Sequence, residues 1–203
     1  SVGFAVTGHT TKPAAKCLRH TQEELELILT KPIGTGVIMA GHMRMQADAS
    51  WVDAAITSMR HSNKSASEIF IQNNALAATD VTGFGLARHA QNFALRHENA
   101  GCIINLSTLP LLDGVTQLLA DGVTSSLHEQ NKVAVNFSHN KVTNITRFEA
   151  LFDPQTSGGL LGVFRASDAK NTLIKLRQHH IKATIIGRLD QGVEGIVTVE
   201  GNS

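Results

Sequence analysis

NALAATDVTGFGLARH, the stretch Asn74–His89, predicts a strand, a glycine-rich turn and a helix in succession. Ala75–Thr79 is a short apolar run of strand length bounded by polar residues, as expected of a buried β-strand. After the turn, apolar residues recur at helical spacing to about residue 98, at Leu86, Ala90, Phe93 and Ala94. This order of elements is typical of an α/β protein.

The junction between this strand and helix is a candidate functional site. Asp80 ends the strand, and Thr82 is the expected N-cap of the helix. Gly83 and Gly85 let the backbone turn tightly or approach a ligand closely. A carboxylate at a strand end beside a glycine-rich helix start predicts a metal–phosphate site. The alternative is that Asp80 only caps the helix while the glycines form a tight turn.

A second stretch, Leu151–Leu161, reads LFDPQTSGGLL and precedes a predicted strand over Leu160–Arg165. Its proline disfavours helix at Asp153, and the loop offers hydroxyl groups and unhindered amides at Thr156, Ser157, Gly158 and Gly159. Such a loop can hold an anion in a nest of backbone N–H groups. The alternative is an ordinary loop with a glycine bulge.

Composition narrows the function classes. The 203 residues are 42% hydrophobic and 17% charged, enough to bury one good core. A net charge of +1 gives no electrostatic reason to expect nucleic acid or an anionic membrane as a partner. No apolar run approaches the about 20 residues of a membrane span. Two cysteines, Cys17 and Cys102, match neither a disulfide framework nor a zinc site, so we expect a reducing compartment, the cytoplasm.

The remaining pattern predicts a layered α/β fold with a mixed sheet flanked by helices. Further strands are expected near Leu25–Leu29, Gly101–Leu106, Ala183–Ile186 and Gly195–Val199, the last two as a hairpin. Helices are expected from 37 to 43, 47 to 71 with a break near 62–65, 111 to 120 and 167 to 180, where Leu173, Ile174 and Leu176 should face inward. Asn136–Ile145 is polar and expected to be exposed.

Several common sites are absent from the sequence. Gly34-Thr35-Gly36 begins a dinucleotide fingerprint, but Met39 stands where its third glycine should be. No P-loop motif and no Gly-x-Ser-x-Gly nucleophile elbow occurs. The ten histidines form no metal-ligand spacing.

The two glycine-rich motifs together resemble one family. Asp80–Leu86 (DVTGFGL) and Asp153–Leu161 (DPQTSGGLL) are similar to the carboxyl-terminal domain of selenophosphate synthetases (selenide, water dikinases). Phe4–Gly8 (FAVTG) and Leu29–Gly36 (LTKPIGTG) resemble the stretch that enters this domain. Gly34–Ser58 further resembles versions fused behind a flavin- and nicotinamide-dependent oxidoreductase. The implied fold is that of the purM-type carboxyl-terminal domain of the AIR synthetase superfamily.

The resemblance implies a reaction of ATP, selenide and water that gives selenophosphate, orthophosphate and AMP. It implies Mg²⁺ and ATP as cofactors, held largely by an amino-terminal ATP-binding domain through which a homodimer assembles. Asp80 matches the family's magnesium ligand. The cleft candidates are Thr82, Gly83, Gly85, Thr156, Ser157, Gly158 and Gly159.

The chain also departs from the family pattern. The family's catalytic cysteine or selenocysteine and nearby lysine occur in a glycine-rich amino-terminal segment that this sequence does not contain, and Cys17 lies outside that context. Arg88 stands where the family usually has glycine. We therefore expect no catalytic residue here, and negligible ATP turnover by this chain alone.

The same resemblance implies the domain organisation. Residues 1–24 are expected to be an entering strand (Val2–Val6) and a linker, and residues 25–203 to be the AIR synthetase-related domain. Two other functions stay open: a non-catalytic binding or dimerisation module, and a domain of another ATP-dependent enzyme of the superfamily.

Overall fold

The computed structural model of the chain describes residues 23–97, 100–139, 142–191, 195 and 197–200. The strands are β1 (Leu25–Leu29), β2 (Ala77–Asp80), β3 (Ala100–Asn105), β4 (Phe137–His139), β5 (Leu160–Arg165), β6 (Thr184–Gln191) and β7 (Val197–Glu200). The helices are α1 (Thr35–Met43), α2 (Ala49–Arg60), α3 (Lys64–Gln72), α4 (Gly85–Ala94), α5 (Val115–Ala120), α6 (His128–Val133), α7 (Ile145–Ala150) and α8 (Ala166–Gln178). The strand predicted at Val2–Val6 lies outside the described residues.

These strands form one mixed sheet in the order β2-β5-β1-β6-β3-β7-β4. The four pairings from β2 to β3 are antiparallel, whereas β7 runs parallel to both β3 and β4. Helices pack on the sheet, so the predicted layered α/β fold is confirmed. No helix among the described residues is long and apolar enough to cross a membrane.

The core has two parts, which are separated by the sheet. Alternation along β1 sends Leu25, Leu27 and Leu29 into the larger cluster and Ile28 into the smaller one. The larger cluster includes buried residues of α1, α2, α4, α5 and α7. The smaller one is built by α3 and α8, with Phe70 packed edge-on against Phe164 of β5 at 5.0 Å between ring centroids.

Strand register brings the loops of interest to one edge of the sheet. Leu29, at the end of β1, pairs with Leu161 of β5 and Thr184 of β6. Asp80, at the end of β2, pairs with Leu160. The carboxyl ends of β1 and β2 therefore lie beside the amino end of β5, where the second glycine-rich motif enters the sheet.

Three local predictions were wrong, and a fourth was incomplete. The final strands do not form a hairpin, because β3 lies between β6 and β7 and pairs with both. The polar segment after residue 136 is exposed as predicted at Asn136, Ser138 and Thr143, but it also contains β4. Phe137 of β4 packs against Phe148 at 5.3 Å between ring centroids. Helix α4 ends at Ala94 rather than near residue 98. Ile174 faces outward on α8 and is exposed.

Candidate functional site

Asp80 is the last residue of β2 and is exposed, so its carboxyl group does not lie in the core. Strand β2 is the outer strand of the described sheet on that side. The next residue, Val81, is fully buried and anchors the chain immediately after the carboxylate. Among the described residues, no group of three His, Cys, Asp or Glu side chains is placed to hold a metal ion. Asp80 could thus give one ligand to a metal whose other ligands come from elsewhere.

Thr82 is not the N-cap of α4, contrary to the prediction. The helix begins at Gly85, and the residue before it, Phe84, makes no capping hydrogen bond with its side chain. The Thr82 amide instead donates to Nε2 of His89 at 3.2 Å, and its carbonyl accepts from the Gly85 amide at 3.1 Å. The turn is therefore held by a side chain from the helix that follows it.

His89 is a site residue that sequence reasoning missed. To accept a hydrogen bond from the Thr82 amide, Nε2 must be unprotonated. Burial lowers the pKa of His89, while the nearby negative charge of Asp80 acts in the opposite direction. The only sequence signal for it was a polar residue at helical spacing from Leu86 and Ala90 on an otherwise apolar face.

The two glycines of the first motif have different roles. Gly85 has φ +76°, and a Cβ there would lie 2.9 Å from the Leu151 carbonyl oxygen, so a larger residue is excluded. A Cβ on Gly83 would meet nothing within 4 Å. The carbonyl of Gly83 is held by Nδ2 of Asn131 at 2.8 Å, which also donates to the Phe152 carbonyl at 3.0 Å.

The two motifs meet in space, although 66 residues of sequence lie between them. The Val81 amide donates to the Gly159 carbonyl at 2.9 Å, and the Gln155 amide donates to the Thr82 carbonyl at 3.1 Å. A Cβ on Gly158 would lie 2.2 Å from the Val81 carbonyl oxygen. Only glycine permits this contact between the two backbones.

The start of α1 is a third segment at this contact, and the side chain of Gln155 binds it. The two motifs and the start of α1 together form a hydrogen-bonded joint. Oε1 of Gln155 accepts from the amides of Gly34 and Thr35 at 3.0 and 3.2 Å and from the Thr35 hydroxyl at 3.1 Å. Its Nε2 donates to Oδ2 of Asp153 at 2.9 Å, and that oxygen also accepts from the Gly36 amide at 3.0 Å. Gly34-Thr35-Gly36 does not complete a dinucleotide fingerprint. In the structure, this segment instead binds the side chains of the second glycine-rich motif.

Asp153 is enclosed by this joint and is fully buried. Burial raises its pKa to about 7, against the opposing effects of hydrogen bonds from Val37, Gln155 and Gly36. Its Oδ1 has no hydrogen-bond partner among the described residues. Asp153 stabilises the amino terminus of α1 and is closed off from a ligand at the surface.

The Thr156–Gly159 loop is largely committed to hydrogen bonds within the protein. The Thr156 amide donates to the Thr35 hydroxyl at 3.0 Å, and the Ser157 hydroxyl donates to the Met59 carbonyl at 2.7 Å. Gly158 and Gly159 are buried, whereas Thr156 and Ser157 are exposed. The loop therefore presents two side chains to solvent from a fixed backbone.

Comparison with known proteins agrees with this description. The family described as AIR synthase related protein, C-terminal domain, matches residues 22–200. The selenide, water dikinase of Geobacter metallireducens is 36% identical over 166 residues, covering 79% of this chain and 47% of that protein. The selenide, water dikinase of Campylobacter jejuni is 32% identical over 193 residues, covering 92% and 54%. The chain spans about half the length of these curated relatives.

Solved structures share the fold. The hydrogenase maturation protein HypE in complex with ATP superposes with a TM-score of 0.64 at 15% identity, covering 93% of this chain and 49% of that one. Thiamine-monophosphate kinase from Stenotrophomonas maltophilia gives 0.62 at 15% identity, covering 89% and 51%. At such identities the likeness concerns the fold alone. Together with the family match over residues 22–200, it confirms the predicted AIR synthetase-type fold.

Proposed function

The chain belongs to the AIR synthase related protein, C-terminal domain family, and on that premise we propose that it is the carboxyl-terminal domain of an ATP-dependent selenide, water dikinase. The proposed reaction makes selenophosphate from selenide, ATP and water, with release of orthophosphate and AMP. The names of the curated relatives support this assignment. The fusion to an oxidoreductase stays a prediction.

One observation carries the proposed site: the exposed Asp80 carboxylate stands where two glycine-rich motifs are hydrogen-bonded to each other. We propose that Asp80 gives one oxygen ligand to Mg²⁺. Thr82, Gly83 and Gly85 and the loop Thr156–Gly159 then form part of the wall of the ATP and substrate cleft. Mg²⁺ commonly binds one or two carboxylates, several waters and the phosphates of a nucleotide, so a single carboxylate fits a shared site.

Within this site, the residues of the chain act by positioning. The His89–Thr82 and Val81–Gly159 hydrogen bonds fix the backbone immediately after Asp80. Bound Mg²⁺ would neutralise charge on the phosphates during transfer, which depends on several cations held in place. A single carboxylate cannot supply that arrangement, so we expect negligible ATP turnover by this chain alone.

The remaining ligands are proposed to come from an amino-terminal ATP-binding domain of the same protein, within a cytoplasmic homodimer. A second candidate, a non-catalytic binding module, is favoured by one observation. The hydrogen bonds of Gln155 and of the Thr156 amide and Ser157 hydroxyl all join parts of the fold. A module that keeps the fold of the family but takes no part in catalysis would need such bonds.

Changing Asp80 separates the two candidates. The chain is combined with the amino-terminal half of a selenide, water dikinase, and AMP release is measured against Mg²⁺ concentration with ATP and selenide present. Asp80→Asn should raise the Mg²⁺ concentration needed for half-maximal rate by about tenfold or more, as expected for loss of one charged ligand worth about 1.4 kcal/mol or more.

Asp121→Asn is the matched control, because Asp121 is exposed and stands at the carboxyl end of α5, outside the two glycine-rich motifs. It should leave the Mg²⁺ dependence unchanged. Equal activity of Asp80→Asn and wild type at every Mg²⁺ concentration would favour the module. Measurable AMP release by the chain without its partner half would contradict the expected inactivity.

A further inference from the structure

A separate cavity of about 450 Å³ opens at the same edge of the sheet. It lies among the residues after β1, the end of α2, the segment Pro110–Asp113 and the segment His180–Lys182 that leads into β6. Its volume falls in the range of about 300–1,000 Å³ that is typical of small-molecule sites. Neither Asp80 nor any residue of the Thr156–Gly159 loop lines it.

Lys31 lines this cavity and is 5% exposed. Its Nζ donates to the carbonyls of His61 at 2.7 Å and Ser157 at 3.0 Å, both of which are uncharged acceptors. No ion pair in the described part of the chain includes Lys31. An ammonium group has three N–H donors, and the two carbonyls take two of them.

A buried charge without a counter-ion is costly. The pKa of Lys31 is accordingly lowered by burial. An anion in the cavity would relieve this cost, because it would supply both the missing charge and an acceptor for the remaining donor.

The rest of the lining suits an anion that carries an apolar body. Lys182 adds a second cation against one carboxylate, Asp113, and two histidines also border the space. The other walls are mainly apolar, formed by Pro32, Ala54, Pro110, Leu111, Leu112 and Ile181. A charged head at Lys31 and an apolar body along these walls would use both features.

We propose that this cavity binds a small organic anion, a carboxylate or phosphate monoester on an apolar body, with Lys31 and Lys182 holding its charged end. The site goes beyond the proposed function, since it requires neither Mg²⁺ nor ATP. It touches the glycine-rich loop through the Lys31–Ser157 hydrogen bond.

Phenyl phosphate and benzoate are suitable probes, with phenol and inorganic phosphate as comparators. Each is titrated into the chain, without ATP, selenide or Mg²⁺, while the methyl resonances of Leu111, Leu112 and Ile181 are followed by NMR. At least one of the two organic anions should shift these methyls saturably, and phenol and inorganic phosphate should bind more weakly. Which organic anion binds more tightly distinguishes a phosphate site from a carboxylate site.

Variants test the role of the cations. Lys182→Gln should weaken binding about two- to fivefold, the range expected for an exposed cation, and Lys31→Met should weaken it more. Lys170→Gln removes the same charge from an exposed position outside the cavity and should change nothing. Asp80→Asn should also bind as wild type does, so failure of this site and failure of the proposed function are distinguishable.

The proposal is overturned by any of three results. The cavity methyls fail to shift saturably with either organic anion, or phenol binds as tightly as phenyl phosphate. In the third case, Lys182→Gln retains wild-type affinity, and so does Lys31→Met wherever that variant folds. Lys182 is exposed, so its variant keeps the test valid if Lys31→Met does not fold.

Discussion

Gln155 is the residue whose removal should most damage the joint between the two motifs and α1. Its buried side chain accepts from the amides of Gly34 and Thr35 and donates to the carboxyl group of Asp153. Replacement by alanine leaves those three groups without this partner in the protein interior. Gln155→Ala should therefore destabilise the fold far more than the loss of a surface glutamine.

The magnitude follows from the groups left unpaired. Each buried polar group without a partner costs about 1–3 kcal/mol. Three such groups would cost about 3–9 kcal/mol if nothing moved. Water entering the space and the remaining Gly36–Asp153 hydrogen bond offset part of that cost. We expect a loss of about 3 kcal/mol in the free energy of unfolding.

Urea unfolding monitored by the fluorescence of Trp51, the single tryptophan, measures this loss. Trp51 packs against the larger core cluster and therefore reports its disruption. Gln117→Ala is the control, because Gln117 is exposed on α5, and its change should stay within about 0.5 kcal/mol. A loss below about 1 kcal/mol for Gln155→Ala, or one equal to that of the control, would refute this account of the joint.

Two further predictions concern the same region and use the same unfolding measurement. Gly158→Ala should lower the free energy of unfolding by more than about 3 kcal/mol, because its Cβ would lie 2.2 Å from the Val81 carbonyl oxygen. Gly83→Ala, where a Cβ meets nothing, should lower it by less than about 1 kcal/mol. Similar losses for the two variants would contradict the assigned backbone contact. Between pH about 4 and 7, the Asp153 carboxyl group, whose pKa is raised to about 7, is protonated in the folded state but ionised in the unfolded state. As pH rises through this window, the stability of the wild type should therefore fall relative to that of Asp153→Asn, by at most about 4 kcal/mol in all. Above the window the difference should level off. Parallel pH profiles of the two proteins would exclude the raised pKa.

Much of the fold could be predicted from local patterns. Alternation and apolar runs indicated β1 and β5, and the polar break near residue 62 separated α2 from α3. The position of Asp80 at a strand end was also correct. These features depend on neighbours along the chain, so their periodicity is visible in the sequence.

Strand pairing was less accessible. The sequence between β6 and β7 favoured a hairpin of these two strands. In the structure, β3 lies between them and pairs with both. Strand β4 is short and largely polar, and what holds it is its parallel pairing with β7 and the contact of Phe137 with the core. Local propensity carries no information about such distant partners.

The sequence by itself determined the order of most strands and helices, the placement of Asp80 and the pair of glycine-rich motifs. Tertiary structure alone decided that Gln155 closes on the start of α1, that His89 rather than a Thr82 cap holds the turn, and that Lys31 lies buried beside a cavity. The physical reason is that each of these side chains satisfies backbone groups brought near it only by folding. Polar side chains that serve such partners leave no periodic trace in the chain.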